Sequence, residues 1–542
     1  MTSIADLEHS DLKLLARHRT MRFRAWLLKR GRRVLPEYEA ERATWWAVLR
    51  RLLLLSALCF VAFFYGLLVS ILPPFMLLPA AAPPVILALM VVWALPEAPN
   101  PPMRILTGVF LTFSALLYIW PNYLAISFGG LPWISVRRLI GVVAVLLLLT
   151  CISSSRRFRS ELGDVLRSAT ILTRLLIGFV AVQLISVLFS GSIGGAINRM
   201  VDIQITWTAM FFIAAWYGSR SDRRVEVWVN IMIAVSIFMM TLAVFEFHAK
   251  HVLWADHIPS FLQVQDESVK GILAGNFRER YRIVATLTSP LSYGEFLAMV
   301  CPFYVYKMLN AKNTSWFLFW GGMDCLVLAS CFLSGARLAM VGFIVAHAIY
   351  LFLWAARHWR NNPGGFIAPV ITILYPALLA VATLAIETIP ALHNRILGGG
   401  ATASSNDARR QQFEMAVPAI AKRPLFGYGP GNGGGAIGWY TPGGDLSVDS
   451  GYLTIATDYG LLGFLCFYGM VVLAGIETGR SSIYSKGQGA PLAAALCATF
   501  AAVMSTKSVL SQPDNYPLLY IFLGMAIAVL YNNKRKAMSP SG

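Results

Sequence analysis

The sequence predicts an all-α polytopic membrane protein of about fourteen transmembrane helices, and three observations carry that reading. Of its 542 residues, 57% are hydrophobic and only 13% are charged, whereas soluble domains carry roughly a quarter charged residues. Apolar runs of about 17–25 residues, long enough to cross a bilayer, recur along most of the chain. The formal charge of +18 sits mainly in short segments between those runs and in the N-terminal tail. That is the pattern of topology signals and anionic lipid contact, not of a nucleic-acid face. Membrane lipid is therefore an expected partner and nucleic acid is not.

The elements follow in order. Residues 1–51 carry twelve Lys/Arg against six Asp/Glu. They suit a basic cytoplasmic tail that fixes topology, or an amphipathic helix on the membrane surface. About fifty polar residues at the start do not suit a cleaved signal peptide. The expected spans are 52–72, then after the Pro73–Pro74 break 74–95, 105–120, 136–151, 171–190, 202–218 and 227–247. A polar loop, 250–284, leads to 285–308, 315–332, 338–355 and 367–386. A larger loop, 389–451, leads to 452–474, 490–504 and 518–531, and 532–542 form a basic tail. With the N-terminus inside, the Lys/Arg-rich connections fall on the cytoplasmic side and both termini are cytoplasmic. Arg137, Arg138 and Arg199 are the main exceptions. Both large loops then face outward, which in a bacterium is the periplasm. The seven cysteines lie in or beside apolar runs without ligand spacing, so neither a disulfide framework nor a zinc site is expected.

The large loop holds most of the chemistry. Asp407 suits the N-cap of a helix starting at Ala408. Arg409, Phe413, Ala416, Val417 and Ile420 then share one helical face. Arg410 stands four residues before Glu414, in reach of a local ion pair. The run Gly427-Tyr-Gly-Pro-Gly-Asn-Gly-Gly-Gly-Ala-Ile-Gly438 has two readings: a nest of N–H groups around a phosphate, or a loop that bends sharply. No GK[ST] follows it, so it is not a P-loop. Three roles suit Asp449: a solvated loop residue, a cap for the next span, or a general base. Arg278, Arg280 and Arg282 cluster beside Thr286, Thr288 and Ser289, and the arginine fork matches phosphate oxygens. Glu295 lies inside a span, where carboxylates are functional candidates by default; Glu246 and Asp324 are further ones. Ser334 and Arg337 sit at a tight outer turn. Arg282, Arg337 and Arg409 thus come from three regions that all face outward.

These residues resemble the O-antigen ligase and Wzy-type polysaccharide polymerase superfamily. The matching pattern is Arg409 and Phe413, the run Arg423-Pro-Leu-Phe-Gly-Tyr-Gly429, then Asp449, Tyr452-Leu453 and Gly460-Leu-Leu-Gly463. Ser334-Gly-Ala-Arg337 resembles the family's S-x-S-R turn, and Arg282 with Thr286 and Pro290 its R-x-x-G-T-F-x-x-P segment. Two positions depart: Ala285 stands for the usual glycine, and Ser450 for the usual Asn, with no His nearby. The ligases typically carry a His there, so Asp449 favours a polymerase.

The resemblance implies a C-type glycosyltransferase-like helical bundle in the bacterial inner membrane. The donor would be an undecaprenyl-pyrophosphate-linked oligosaccharide, used without nucleotide sugar, cofactor or obligatory metal. Arg282, Arg337 and Arg409, with Arg278, Arg280 and Tyr452, would bind pyrophosphate or substrate. Asp449 would be the base, with Glu295 in reserve. A chain-length regulator or export machinery is an expected partner. Ligation onto lipid A-core is the nearest alternative, and a glycolipid flippase or transporter the alternative from another class.

Overall fold

The computed structural model describes residues 45–72, 77–98, 100–127, 133–264, 267–275, 281–390, 403–440, 446, 448–485 and 489–538. The basic tail before residue 45 lies outside them. Each expected apolar run coincides with a helix. Among the described residues, nine helices are long and apolar enough to cross a membrane. Those covering 74–95 and 105–120 are shorter, and the first of them carries Pro83 and Pro84.

Two compact units emerge. The first contains α1 (Trp45–Ile71) and α2 (Leu77–Ala94), together with residues 147–159. The α1 face is apolar and uncovered from Leu52 to Leu68. Each such leucine would forgo about 1.5–3 kcal/mol in water, so this surface belongs against lipid. Within this unit the backbone N–H of Ala98 donates to Ser154 O at 2.8 Å, and Arg159 pairs with Glu97 at 3.2 Å.

The second unit holds the rest. It begins with α3 (Met103–Ile119), β1 (Leu124–Ile126) and β2 (Ile134–Ser135), which leads into α4 (Val136–Ser154), a helix whose residues from 147 on belong to the first unit, as do the first residues of the helix after it. The amphipathic α5 (Arg156–Ser168) precedes α6 (Thr170–Ser186). Then α7 (Ile193–Ile203) runs through one π turn into α8 (Ala209–Ser219), and α9 (Asp222–Ala249) follows. The loop after α9 adds β3 (Gln263–Val264) and α10 (Glu267–Leu273). An all-α fold was expected, but β2, β1 and β3 form a small antiparallel sheet in which Leu124 pairs with Val264. Trp254 and Val269 pack on Tyr123 beside it. Short extended segments at the rim satisfy their backbone through one another, which periodicity in the apolar runs does not foretell.

The core follows. α11 (Pro290–Leu309) is buried along most of its length between α12 (Thr314–Leu333) and α13 (Arg337–Asn361). Its start corrects the expected span 285–308. Ser289 accepts the Ser292 N–H and Pro290 opens the helix, while Ala285 has φ 48° and lies outside it. After α14 (Ile367–Thr388) comes α15 (Ala403–Lys422), then the one-turn α16 (Gly433–Ile437). The chain closes with α17 (Gly451–Tyr484), α18 (Gly489–Lys507) and α19 (Tyr516–Met538). Helices in lipid gain little from hydrophobic burial and approach through small residues. A Cβ on Gly342 would stand 2.7 Å from Thr506 and 3.0 Å from Ala298, so α13, α18 and α11 meet at van der Waals closeness.

Two of the three arginines that broke the charge rule share a partner. Arg138 Nε reaches Asp202 Oδ1 at 2.8 Å, and Arg137 reaches Asp202 Oδ2 at 3.4 Å. A buried carboxylate offsets both charges.

Candidate functional site

Helix α15 starts at Ala403, not Ala408, so Asp407 lies inside it and caps nothing. Its phase also differs from the expected one. Phe413 and Val417 are exposed, while Gln412, Ala416 and Ala419 are buried. The reason is tertiary. Ala416 packs with Ile437 and Leu453, with Trp439 and Val448 alongside, and this small apolar cluster clips α15 onto α17. Arg409 still faces inward, half-buried, three residues before Gln412. Arg410 points outward and pairs with Glu414 at 2.9 Å, as the spacing predicts.

The inward side of α15 meets the re-entry segment. Gln412 Oε1 accepts the Asp449 backbone N–H at 2.8 Å. Ser450, not Asp449, caps α17: its side chain accepts the Leu453 N–H. The capping role considered for Asp449 is therefore taken by its neighbour, and the Asp449 carboxylate has another environment. It lies close enough to Arg409 to favour its charged form. Burial opposes that and is the largest influence, and the Arg337 guanidinium adds to it, so Arg409 titrates below the usual arginine range. A guanidinium keeps its proton in proteins. Arg409 is thus a cation held in a partly desolvated place. Its Nη1 donates to Asn406 at 3.1 Å; its Nε is buried without a hydrogen-bond partner among the described residues.

Arg337 opens α13, where the positive end of the helix already disfavours a cation. Arg282 joins the same turn: its Nε donates to Ser334 O at 3.0 Å. Ser334 Oγ in turn accepts the Ala336 N–H at 3.2 Å, and Gly335 takes φ 65°. Arg282 is itself held by a strut. The Glu246 carboxylate, almost fully buried, accepts the N–H of Val284 at 2.9 Å and of Ala285 at 2.8 Å. It also accepts the Tyr281 hydroxyl at 2.5 Å. Burial and that carboxylate push the Tyr281 phenol well above its usual range, so it stays a donor. Glu246, a sequence candidate without a role, is thus the anchor of the 281–285 segment. Ala285 occupies a left-handed conformation that glycine adopts without strain.

Two other expectations change. The glycine run does bind a carboxylate through its backbone, but the carboxylate is the chain's own. Asp458 Oδ2 accepts the Gly431 N–H at 2.9 Å and Oδ1 the Gly433 N–H at 2.7 Å. A Cβ on Gly433 would stand 2.2 Å from Thr457 Oγ1. The nest is filled, and the sharply bending loop is the reading that holds. Helix α17 breaks here at Gly460, with φ 68°, and Leu461 N–H donates to Pro424 O at 2.7 Å. Tyr452 turns toward α18 and donates its hydroxyl to Met504 O at 2.5 Å, away from the arginines' polar contacts.

Glu295 is fully buried in an ion pair with Lys507, 2.9 Å long, and Asn515 donates to it at 2.9 Å. Lys507 also touches the start of α17: a Cβ on Gly451 would lie 3.0 Å from the Lys507 side chain. Asp324 pairs with His347 at 2.7 Å between α12 and α13. Arg278 and Arg280 lie outside the described residues. Among the described residues no three His, Cys, Asp or Glu side chains gather as a metal site, and the seven cysteines are free.

Arg282 joins the turn that leads to Arg337, and Asp449 is tied through Gln412 to the helix that carries Arg409; these residues form the arginine rim, while Glu295 is buried with Lys507. Sequence reasoning missed Gln412, Asp458 and Lys507. The last two carry a signal, being charged side chains inside or at the end of apolar runs; Gln412 carries none.

Residues 323–468 match the family model described as O-antigen ligase. The chain carries a domain of the O-antigen ligase and Wzy-type superfamily. No curated protein matches it. The match begins within α12 and ends within α17, so this ligase-type domain contains Arg337, Arg409, Gln412, Asp449 and Asp458. Arg282 and Glu246 lie before it. The family's enzymes are glycosyltransferase-like, and polymerases and ligases share it.

Proposed function

We propose that this protein polymerises undecaprenyl-pyrophosphate-linked oligosaccharide repeat units into O-antigen or exopolysaccharide at the periplasmic face of the bacterial inner membrane. The observation that supports it is geometric: Arg282 donates to the Ser334 carbonyl at 3.0 Å in the turn that leads to Arg337, and Gln412 of the Arg409 helix holds the Asp449 backbone at 2.8 Å. Arginines suit the oxygens of a pyrophosphate, and a carboxylate suits the removal of a proton. In the reaction, an acceptor hydroxyl oxygen bonds to the anomeric carbon of the donor. The bond from that carbon to the pyrophosphate oxygen breaks, and undecaprenyl pyrophosphate leaves with the electron pair. Arg337 and Arg409, with Arg282 held on the Ser334 carbonyl, offset the charge that develops there. Asp449 takes the hydroxyl proton. Glu295 is committed to Lys507 and Asn515.

No nucleotide sugar, cofactor or metal enters this scheme. A chain-length regulator or an export machine is the partner class that such a product calls for. Ligation onto lipid A-core is the second reading, favoured by the description of the matching family. The absence of a His beside Asp449 in the sequence is what favours polymerisation.

The test is purified protein given a lipid-linked repeat unit and no nucleotide sugar. A ladder of lipid-linked polymer is the expected product. Transfer only when lipid A-core is added would establish the ligase. Translocation of intact units without any new glycosidic bond would overturn both in favour of transport.

A further inference from the structure

A cavity of about 250 Å³ opens among α11, α13, α17 and α18. It is distinct from the arginine rim. Arg337 opens α13 and Arg357 lies near its end, and twenty residues of helix span about 30 Å, the thickness of the hydrocarbon core. The cavity and the rim therefore sit at opposite membrane interfaces.

Its lining has a direction. Arg357 supplies a positive charge, and His358, Asn310 and Asn361 supply polar side chains. None of the lining residues is acidic. Ala490, Pro491 and Ala494 also line it, so the first turn of α18 borders the space. The positive end of a 19-residue helix adds to the same sign of potential. Leu353 and Trp354 give an apolar wall, and Trp354 is 38% exposed at the rim. A tryptophan at an interface is at home among lipid headgroups. The volume lies below the roughly 300–1,000 Å³ of pockets that enclose drug-sized ligands. An oligosaccharide does not fit, and a headgroup does.

We propose that this cavity binds a phosphate group, presented by the headgroup of an anionic phospholipid in the leaflet opposite the arginine rim. The Arg357 guanidinium takes the phosphate oxygens, and the acyl chains leave along the Trp354 side. Basic pockets between helices at an interface commonly hold anionic lipid in this way. On the topology read from the charged connections, that leaflet is cytoplasmic. The inference does not depend on the reaction at the rim.

The experiment uses the full-length protein in detergent and follows its thermal midpoint and its binding of added lipid. The probes are dioleoyl phosphatidylglycerol, dioleoylglycerol with the same chains but no phosphate, and inorganic phosphate alone. Phosphatidylglycerol should raise the midpoint, and dioleoylglycerol should not. Arg357→Gln should weaken phosphatidylglycerol binding by about tenfold or more, the weight of a charge-assisted hydrogen bond. Arg357→Lys, which keeps the charge and loses the fork, should retain part of it. If Arg357→Gln is too unstable to purify, Arg357→Lys measured against the unaltered protein provides the comparison. An equal, Arg357-dependent shift from inorganic phosphate would keep the phosphate site and assign it to a soluble ion. Equal binding of dioleoylglycerol and phosphatidylglycerol, or phosphatidylglycerol binding unchanged in the variants, would overturn the proposal.

Discussion

Gln412 accepts the backbone N–H of Asp449 at 2.8 Å, tying the middle of α15 to the residue that re-enters the bundle. Gln412 is 1% exposed, and its hydrogen bond to this N–H is partly buried. Gln412→Leu should cost about 1 kcal/mol, the net worth of such a hydrogen bond. Activity should fall with it, because the Asp449 carboxylate loses its fixed backbone. Gln412→Glu keeps an acceptor and should retain more activity than Gln412→Leu. Thermal midpoints and glycan transfer measured on both variants check this; equal activity in the two would detach Gln412 from the site.

Asp449→Asn isolates the proposed base. Since Ser450 caps α17, the substitution leaves the helix start intact. Transfer should fall by roughly a hundred- to ten-thousand-fold, as for loss of a general base, while donor binding survives. Activity near wild type on a purified lipid-linked donor would move the base elsewhere. Lost donor binding would make Asp449 a recognition group.

Neutralising Arg337 or Arg409 should instead weaken donor binding and transfer together. Arg410→Ala should be mild, since its ion pair with Glu414 is exposed and worth at most about 0.5 kcal/mol. Parallel donor-binding curves for the Arg409→Ala and Arg410→Ala proteins separate the two roles. Identical losses would contradict the observed helix phase.

Glu295 and Lys507 are a buried pair, so breaking it from one side should be harsher than removing it. Glu295→Gln leaves an uncompensated buried ammonium and should cost about 3–5 kcal/mol. Glu295→Gln combined with Lys507→Met should recover much of that stability. Should the double variant also recover transfer activity, Glu295 is structural. Stability restored with activity still absent would revive it as a base.

Ala285 holds φ 48° against the preference of any residue with a Cβ. Ala285→Gly should raise stability by about 1 kcal/mol, since the left-handed conformation costs an L-residue roughly 1–2 kcal/mol and glycine gives some of that back in unfolded-state entropy. The change should leave transfer intact, because Glu246 still holds the 284 and 285 amides. A lower thermal midpoint would show that the conformation carries no strain.

By itself the sequence determined the membrane class and the order of the helical segments. Those properties are local. An apolar run of bilayer length has to be a helix, because lipid offers its backbone no hydrogen bonds. Arg410 and Glu414 meet through the helix period alone. The short arginine and glycine motifs were also legible, each from a few neighbouring residues.

Only the tertiary structure decided which face of α15 looks inward, because the cluster of Ala416, Ile437 and Leu453 outweighs the local stripe that ends in Phe413 and Val417. It also decided what fills the glycine nest. The amides of Gly431 and Gly433 look free in the sequence, but Asp458, 25 residues or more along the chain, takes both. The same holds for Glu295 with Lys507, and for Glu246 with the amides beside Arg282. Each is a charge buried in a bundle, and what it does depends on the partner that burial forces on it. That partner comes from a distant part of the chain, which no spacing in one segment reveals.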